Sequence, residues 1–425
     1  MKTLKIGLAG LGTVGKSVYE IIKNDASSLT KKHKTNFKIV AVSARSKKDF
    51  IANDIKFYQN AVDLAKDKNI DVIIEVIGGE DVAKDLIFES LKNNKHYITA
   101  NKALLAKDGY EIAKLADNNN CHIGFEASTV GAVPIIKSFK DNFAAVNNIT
   151  EFYGILNGTC NFILTKMTDE GSDFADVLKE AQENGYAEAD PTFDIKGIDA
   201  AHKLTILSTI ASGNKPNFDD LYIEGVDKIE ASDIKLAKDL GYKIKLLAIY
   251  KNNGQECEQA VYPALVDKSL MIAKVEDTYN TILTNCSNAG WNMTIGRGAG
   301  GLITASAIIA DLADIANENF SKTFLFSAND LQEIKIKDIK NKKGDYFIKL
   351  IINKSSIAED REFLQETIGK NFNIKKASYI DDKEQILAGF IVDNCQESEV
   401  KNFIDNLTLN KIISAKFIRI ENPQL

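Results

Sequence analysis

The chain is predicted to be an α/β protein: a doubly wound, mostly parallel sheet, then an α+β segment, then a small module of βαββαβ order. Three observations carry this. Short apolar runs alternate with helix-spaced apolar residues through the first 125 or so positions. Beyond residue 126 the pattern changes, and residues 242–251 and 257–266 alternate like sheet strands. From Tyr346 the periodicity reads strand (346–353), helix (358–370), strand (373–380), strand (385–393), helix (397–408), strand (411–420). A length of 425 residues suits two or three such domains.

Composition narrows the function classes. Apolar and charged fractions of 44% and 26% are those of a globular protein. A net charge of −6 gives no support for a nucleic-acid partner, and the lysine-rich stretches 31–34 and 341–343 read as solvated loops. No apolar run approaches the ~20 residues of a membrane span, and the N-terminus enters a strand-like segment without a signal peptide. A cytoplasmic location is therefore expected. The five cysteines (Cys121, Cys160, Cys257, Cys286, Cys395) are scattered and form no CxxC pair, which suggests neither disulfides nor zinc.

The first strand is expected at 4–9. It leads into Gly10-Leu11-Gly12-Thr13-Val14-Gly15, and Val14, Val18, Ile21 and Ile22 then recur at helical spacing. Strand, glycine turn and helix is the context that makes a G-x-G-x-x-G credible as a Rossmann-type dinucleotide site. Gly10 would permit the tight turn, Gly12 the approach of a pyrophosphate, and Gly15 close helix–strand packing, with phosphates at the helix N-terminus. Further strands are expected at 37–42, 72–77, 96–99 and 122–125. After the second strand comes Ser43-Ala44-Arg45-Ser46-Lys47-Lys48. An NAD site usually has an acid here, and a cation fits a 2′-phosphate, so NADP is expected ahead of NAD. The competing reading is an ordinary basic surface loop. Gly78-Gly79 and Thr99-Ala100-Asn101-Lys102 both follow strand carboxyl ends, where open α/β sheets bind ligands. Lys102, flanked by Ala100, Ala103, Leu104 and Leu105, is expected to point into the cleft.

Further on, 126–134 runs into a helix, 149–156 looks like a strand, and Asn157-Gly158-Thr159-Cys160-Asn161 opens another helix. Residues 183–203 carry Glu188, Asp190, Asp194, Asp199 and Lys203 among small, apolar and turn-forming residues. A helix is expected to begin near Gly197, which puts Asp199 and Lys203 on one face, four residues apart. Ala200, Ala201, Leu204, Ile206, Leu207 and Ile210 read as its buried positions. An acid–lysine pair on an apolar helix is costly unless paired or used. A surface salt bridge is the bland reading, but the clustered acids suit a small ligand with an ammonium group and a reacting oxygen. Gly296-Arg297-Gly298-Ala299-Gly300-Gly301 precedes an apolar helix at 304–315, and this second glycine-rich turn is expected to bring the chain back to the cofactor.

Taken together, GLGTVG, TANKALLA, NGTCNFIL, GYAEADPTFDIKGIDAAHKL and GRGAGG followed by TASA resemble the homoserine dehydrogenases, in that family's order and approximate spacing over residues 1 to about 320. The resemblance implies NAD(P)-dependent interconversion of L-homoserine and L-aspartate 4-semialdehyde, on the route to threonine, isoleucine and methionine. By position it casts Lys203 and Lys102 as the proton-handling lysines. Glu188 and Asp199 match acids that hold the substrate, with Asp194 close by, and Gly158, Thr159 and Tyr186 match the pocket's backbone and walls. The expected cofactor positions are Gly10, Gly12, Thr13, Val14, Gly15, Arg45, Gly78, Gly79, Asn101, Lys102 and Gly300. A sodium ion is implied at the carbonyls of Glu126, Thr129, Gly131 and Val133, if the loop keeps its path despite Ser-Thr-Val-Gly-Ala-Val where the family has more glycine. The implied domains are 1–130 (dinucleotide), 131–320 (catalysis and dimerisation, its last helix near 302–318 returning to the first domain) and 345–425 (ACT-like), in a homodimer.

Residues 353–357 contain no glycine where ACT ligand loops usually have one. An architectural or dimerising role is therefore expected for the last module, with threonine bound weakly or not at all and residues 345–425 dispensable for catalysis. The rival readings are a non-catalytic dinucleotide or amino-acid sensor on the same fold, and a phosphorylating semialdehyde dehydrogenase, which would need a nucleophilic cysteine.

Overall fold

The computed structural model describes residues 1–254, 256–407 and 411–423. The chain divides into two units. The first comprises Met1–Thr150, His202–Asp220 and Thr284–Ile334, and the second comprises Glu151–Ala201, Leu221–Leu283 and Lys335–Leu425.

In the first unit, Ile6, Leu8, Val72, Ile73 and Ile74 are wholly buried, as expected of strands covered on both faces. β1 (Lys2–Ala9), β2 (Thr35–Ser43), β3 (Lys56–Tyr58), β4 (Val72–Glu75), β5 (His96–Thr99) and β6 (Ile123–Gly124) form one sheet in the order β3-β2-β1-β4-β5-β6. Every pair is parallel. The order reverses between β1 and β4, the switch point at which open α/β sheets bind ligands. Helix Gly301–Asn317 belongs to this unit, and its Ala305, Ile308, Leu312 and Ile315 share a core with Leu4, Ile6, Val18 and Ile22.

The later strands are β7 (Ile149–Ile155), β8 (Tyr222–Ile223), β9 (Tyr242–Asn252), β10 (Cys257–Asp267), β11 (Tyr279–Cys286), β12 (Gly290–Arg297), β13 (Lys343–Asn353), β14 (Ile374–Asp381), β15 (Gln385–Gln396) and β16 (Ile412–Ile420). The second unit's sheet runs β11-β7-β9-β10-β16-β13-β15-β14, with β8 on β10. β13, helix Ile357–Gly369, β14, β15, helix Glu397–Asp405 and β16 follow in the expected βαββαβ order. The expected end of the last helix at 408 lies outside the described residues. β16 pairs in parallel with β10 at Ala264–Arg419 and Leu265–Ile420, so the C-terminal module continues the unit's sheet.

Several expectations need correction. Residues 31–33 are not loop: Lys31, Lys32 and His33 form the last turn of helix Ala26–His33, where cations suit the helix dipole, and Lys34 closes it at φ +53°. Lys342 is not solvated. It is buried between Glu258 and Glu421, with Nζ 2.8 Å from a carboxylate oxygen of each. β3, β8, β11 and β12 lie outside the expected strands, and β4 is two residues shorter than the apolar run 72–77. Among the described residues no helix is long and apolar enough to cross a membrane.

Candidate active site

The glycine turn after β1 is dictated mostly by packing. Gly10 has φ +102°, donates its N–H to Ser43 O at 2.9 Å, and would place a Cβ 2.4 Å from Val76 O. A Cβ on Gly15 would fall 2.0 Å from Gly10 O. Gly12 differs: its φ is an ordinary −77° and nothing lies within 4 Å of a Cβ built there. No neighbour in the protein requires glycine at that position. An approaching pyrophosphate would, and Thr13 and Val14 open the helix whose N-terminus would hold it. Gly10, Gly12, Arg45, Lys48, Gly78 and Gly79 line a cleft of about 850 Å³, and Glu80 and Asp81 line it too. Arg45 is exposed there. These residues fit a dinucleotide.

The far rim of this cleft is tied to the next strand. Gly78 and Gly79 both have positive φ, +77° and +79°. Asn101 Nδ2 donates to Gly79 O at 2.6 Å, while its Oδ1 caps helix Lys102–Asn118 by accepting Leu104 N at 3.2 Å. Buried Glu75 accepts Thr99 Oγ1 at 2.6 Å and Ile77 N at 2.8 Å, and burial pushes its carboxyl upward against those bonds. Lys102 is the first residue of its helix and is half-buried. Gly300, at φ +140°, caps helix Gly301–Asn317.

In the loop after β6, the carboxylate of Glu126 accepts N–H bonds from Ile136 and Lys137 at 2.9 Å each, and burial raises its carboxyl. The carbonyl of Glu126 accepts Thr129 Oγ1 at 3.5 Å, and that of Val133 accepts Ile135 N at 2.7 Å. Gly131 has φ +39°. A carbonyl oxygen has two lone pairs, so both retain capacity for a hard cation.

In the second unit the acid-bearing segment is held at many points. Thr159 Oγ1 donates to Tyr186 O at 2.7 Å, and the Tyr186 ring meets Phe162 edge-on at 5.0 Å. Gln182 Nε2 donates to Glu188 O at 3.1 Å, leaving the Glu188 side chain exposed. Asp190 accepts Thr192 Oγ1 at 2.6 Å and Thr192 N at 3.1 Å, and these bonds, the hydroxyl's first, hold its carboxyl low. Gly225 passes so close that a Cβ would lie 2.1 Å from Ile195 O. Asn157 caps the helix Gly158–Glu170 through Cys160 N at 2.8 Å, and its Nδ2 donates to Asp194 Oδ1 at 2.7 Å and Asp199 Oδ2 at 2.8 Å.

Helix Ile198–Ser212 begins one residue after Gly197, at φ +80°, and carries Asp199 and Lys203 one turn apart. They are 7% and 9% exposed, while Ala200, Ala201, Leu204, Ile206, Leu207 and Ile210 are buried, which excludes a solvated surface salt bridge. Asp199 falls in the second unit's part of the chain, as do Asp194, Glu188, Gly158, Thr159 and Tyr186. Lys203, Lys102 and the cofactor positions fall in the first unit's part.

Asn157 and Glu75 join the residues that order the site's elements. Asn157 had a signal, an amide residue just before a helix. Glu75 had another, one acid inside an apolar strand.

Residues 10–126 match the model of the homoserine dehydrogenase NAD-binding domain, and residues 134–313 match the homoserine dehydrogenase model. The chain is 36% identical to the homoserine dehydrogenase of Helicobacter pylori over 99% of its own length and 100% of the relative's. It is 43% identical to that of Neisseria gonorrhoeae over 74% of this chain and 73% of the relative. The crystal structure of a homoserine dehydrogenase from Thiobacillus denitrificans superposes with a TM-score of 0.90 at 35% identity, covering 99% of each chain. A hyperthermophilic archaeal homoserine dehydrogenase in complex with NADPH superposes with a TM-score of 0.64 at 25% identity, over 76% of this chain and 99% of that one.

Proposed function

The chain belongs to the homoserine dehydrogenase family, oxidoreductases that interconvert L-homoserine and L-aspartate 4-semialdehyde, and we propose that Lys203 and Lys102 handle the proton and charge of that reaction. The observation that carries this is the buried Asp199–Lys203 spacing on a helix with no other acid, lysine or arginine. A nicotinamide dinucleotide, when bound in the cleft, would supply or accept the hydride. In reduction, Lys203 Nζ gives a proton to the oxygen that becomes the alcohol, and in oxidation it takes that proton. Lys102 stabilises negative charge on the same oxygen. Glu188 and Asp199, with Asp194, hold the substrate ammonium, and Gly158, Thr159 and Tyr186 form the pocket's backbone and wall. The pathway served is amino-acid biosynthesis.

Arg45 and Lys48 in the cleft support NADP ahead of NAD. The spare lone pairs in the loop after β6 support a sodium ion at the carbonyls of Glu126, Thr129, Gly131 and Val133, checked by the sodium dependence of the melting temperature. A homodimer is expected from the family resemblance, and light scattering checks it. The C-terminal βαββαβ order supports an ACT-like module.

The decisive experiment is initial-rate kinetics on Lys203→Ala. Turnover falls by at least ~10²-fold with a far smaller change in homoserine KM. Because the lysine must be neutral to take the proton and charged to give it, homoserine oxidation by the wild type rises towards alkaline pH while semialdehyde reduction holds up at lower pH. Near-normal turnover of the variant, or identical pH profiles in the two directions, refutes the assignment.

A further inference from the structure

Asn157 does two separable jobs. Its Oδ1 caps the helix Gly158–Glu170, and its Nδ2 reaches both Asp194 and Asp199. An amide nitrogen has two N–H donors, and here each carboxylate takes one. The side chain is 5% exposed and its bond to Asp199 is buried, so that bond is screened little by water, while Asp194 is half-buried. Two carboxylates gathered on one atom are near neighbours. Like charges so placed raise one another's affinity for protons, whereas N–H donors favour the ionised form.

We propose that Asn157 is a positioning residue of the dehydrogenase: its amide holds Asp194 and Asp199 together, both ionised, as a preformed anionic seat for the homoserine ammonium. It touches no reacting atom and acts through the two acids. This deepens the reading that Asp199 and Asp194 face the substrate ammonium and rests on it. Four features of the chain meet here: the helix cap, the small pair Gly158-Thr159, Asp194 of the short helix Thr192–Ile195 and the first-turn acid Asp199. The amide bridges segments some forty residues apart in sequence.

Asn157→Ser separates the two jobs, since serine still caps the helix but cannot bridge the acids. Homoserine KM is expected to rise ~10-fold, the scale of a lost charge-assisted bond, with the cofactor KM unchanged. The acid limb of kcat/KM for homoserine is expected to move up by about 0.5–1 pH unit, because one carboxylate now binds protons more tightly. A readout without substrate accompanies this. A carboxyl whose folded-state pKa is raised disfavours the folded state above that pKa, so the variant's melting-temperature deficit is largest near neutrality and shrinks as pH falls towards ~4. If the serine variant does not fold, Asn157→Asp decides. It keeps the cap acceptor and adds a third carboxylate, so activity is depressed at neutral pH and partly recovered on acidification.

Wild-type homoserine KM and acid limb in Asn157→Ser, or a pH-independent stability deficit, overturn the proposal, as does neutral-pH kinetics like wild type in Asn157→Asp. Asp199→Asn reads the underlying assignment separately. Unchanged homoserine KM in that variant counts against the acids as substrate ligands, while the pH dependence of stability still decides whether the amide bridges them.

Discussion

Arg45 stands in the first turn after β2, where a carboxylate would bind a ribose 2′-hydroxyl, and it lines the same cleft as Gly10 and Gly12. Its guanidinium is exposed, so its interaction with a dianionic phosphate is partly screened. Arg45→Ala is expected to raise the KM for NADP by ~10-fold and leave that for NAD within about two-fold, since only NADP offers the phosphate. Equal losses for both cofactors would make Arg45 structural. Its place beside the glycine turn could be read from sequence, because it follows directly on an apolar strand. Asn157 and Lys342 could not be read in that way. The acids that Asn157 binds lie in other segments, and the partners that bury Lys342, Glu258 and Glu421, come from two distant strand regions. Local composition marks a lysine run as polar and says nothing about carboxylates that the fold brings to it.

At the scale of elements, the turn after β1 and the first turn of helix Thr13–Asn24 hold three glycines for different reasons. Gly15→Ala would drive a methyl to 2.0 Å from Gly10 O, and Gly10→Ala would strain a φ of +102° against Val76 O. Both are expected to lower stability, with backbone strain at positive φ alone worth about 1–3 kcal/mol. Gly12→Ala meets no protein atom within 4 Å. Its melting temperature should stay within a degree or two of wild type, while cofactor KM rises ~10-fold or more as the methyl obstructs the pyrophosphate. Thermal melts and cofactor titrations of the three variants separate these outcomes, and a destabilised Gly12→Ala with normal cofactor KM would contradict the assignment. Strand–turn–helix was legible because the mostly apolar stretches Leu4–Ala9 and Val72–Ile77 run directly into glycines. β3 was not, because Lys56–Tyr58 is too short to show a period and carries no turn signal that sets it apart.

At the scale of the molecule, the C-terminal segment is woven into the second unit. β16 adds to β10, and Glu421 accepts bonds from Tyr262 and Lys251 at 2.9 and 3.1 Å. Burial alone would raise the Glu421 carboxyl, but Lys342 and Lys251 pull it down to about 2. Lys349, itself buried, reaches Asp233, which is wholly buried, at 2.6 Å. Removing residues 345–425 therefore strips the partners of buried charges, a change that costs about 3–5 kcal/mol for each pair broken. The sequence alone suggested that this segment could be removed without loss of catalysis, since all five motifs lie upstream. The structure makes an aggregating or poorly folded product the expected outcome, so truncation is a poor test of regulation. A point change is better. In the first turn of helix Ile357–Gly369, Asp360 is wholly buried and accepts, from the loop after β13, Ser355 N at 2.6 Å, Ser356 N at 2.9 Å and Ser355 Oγ at 2.8 Å. Those backbone bonds, that from Ser355 first, hold its carboxyl below the usual range. The amides that an amino acid's carboxylate would seek at this helix start are thus already taken by the protein's own carboxylate. Threonine is accordingly expected to inhibit the full-length enzyme weakly or not at all through this loop. Asp360→Ala frees two amides while leaving the strands in place, and any threonine response should appear or strengthen in that variant. Strong threonine inhibition of the wild type, abolished by Asp360→Ala, would show instead that the carboxylate orders the loop for a ligand.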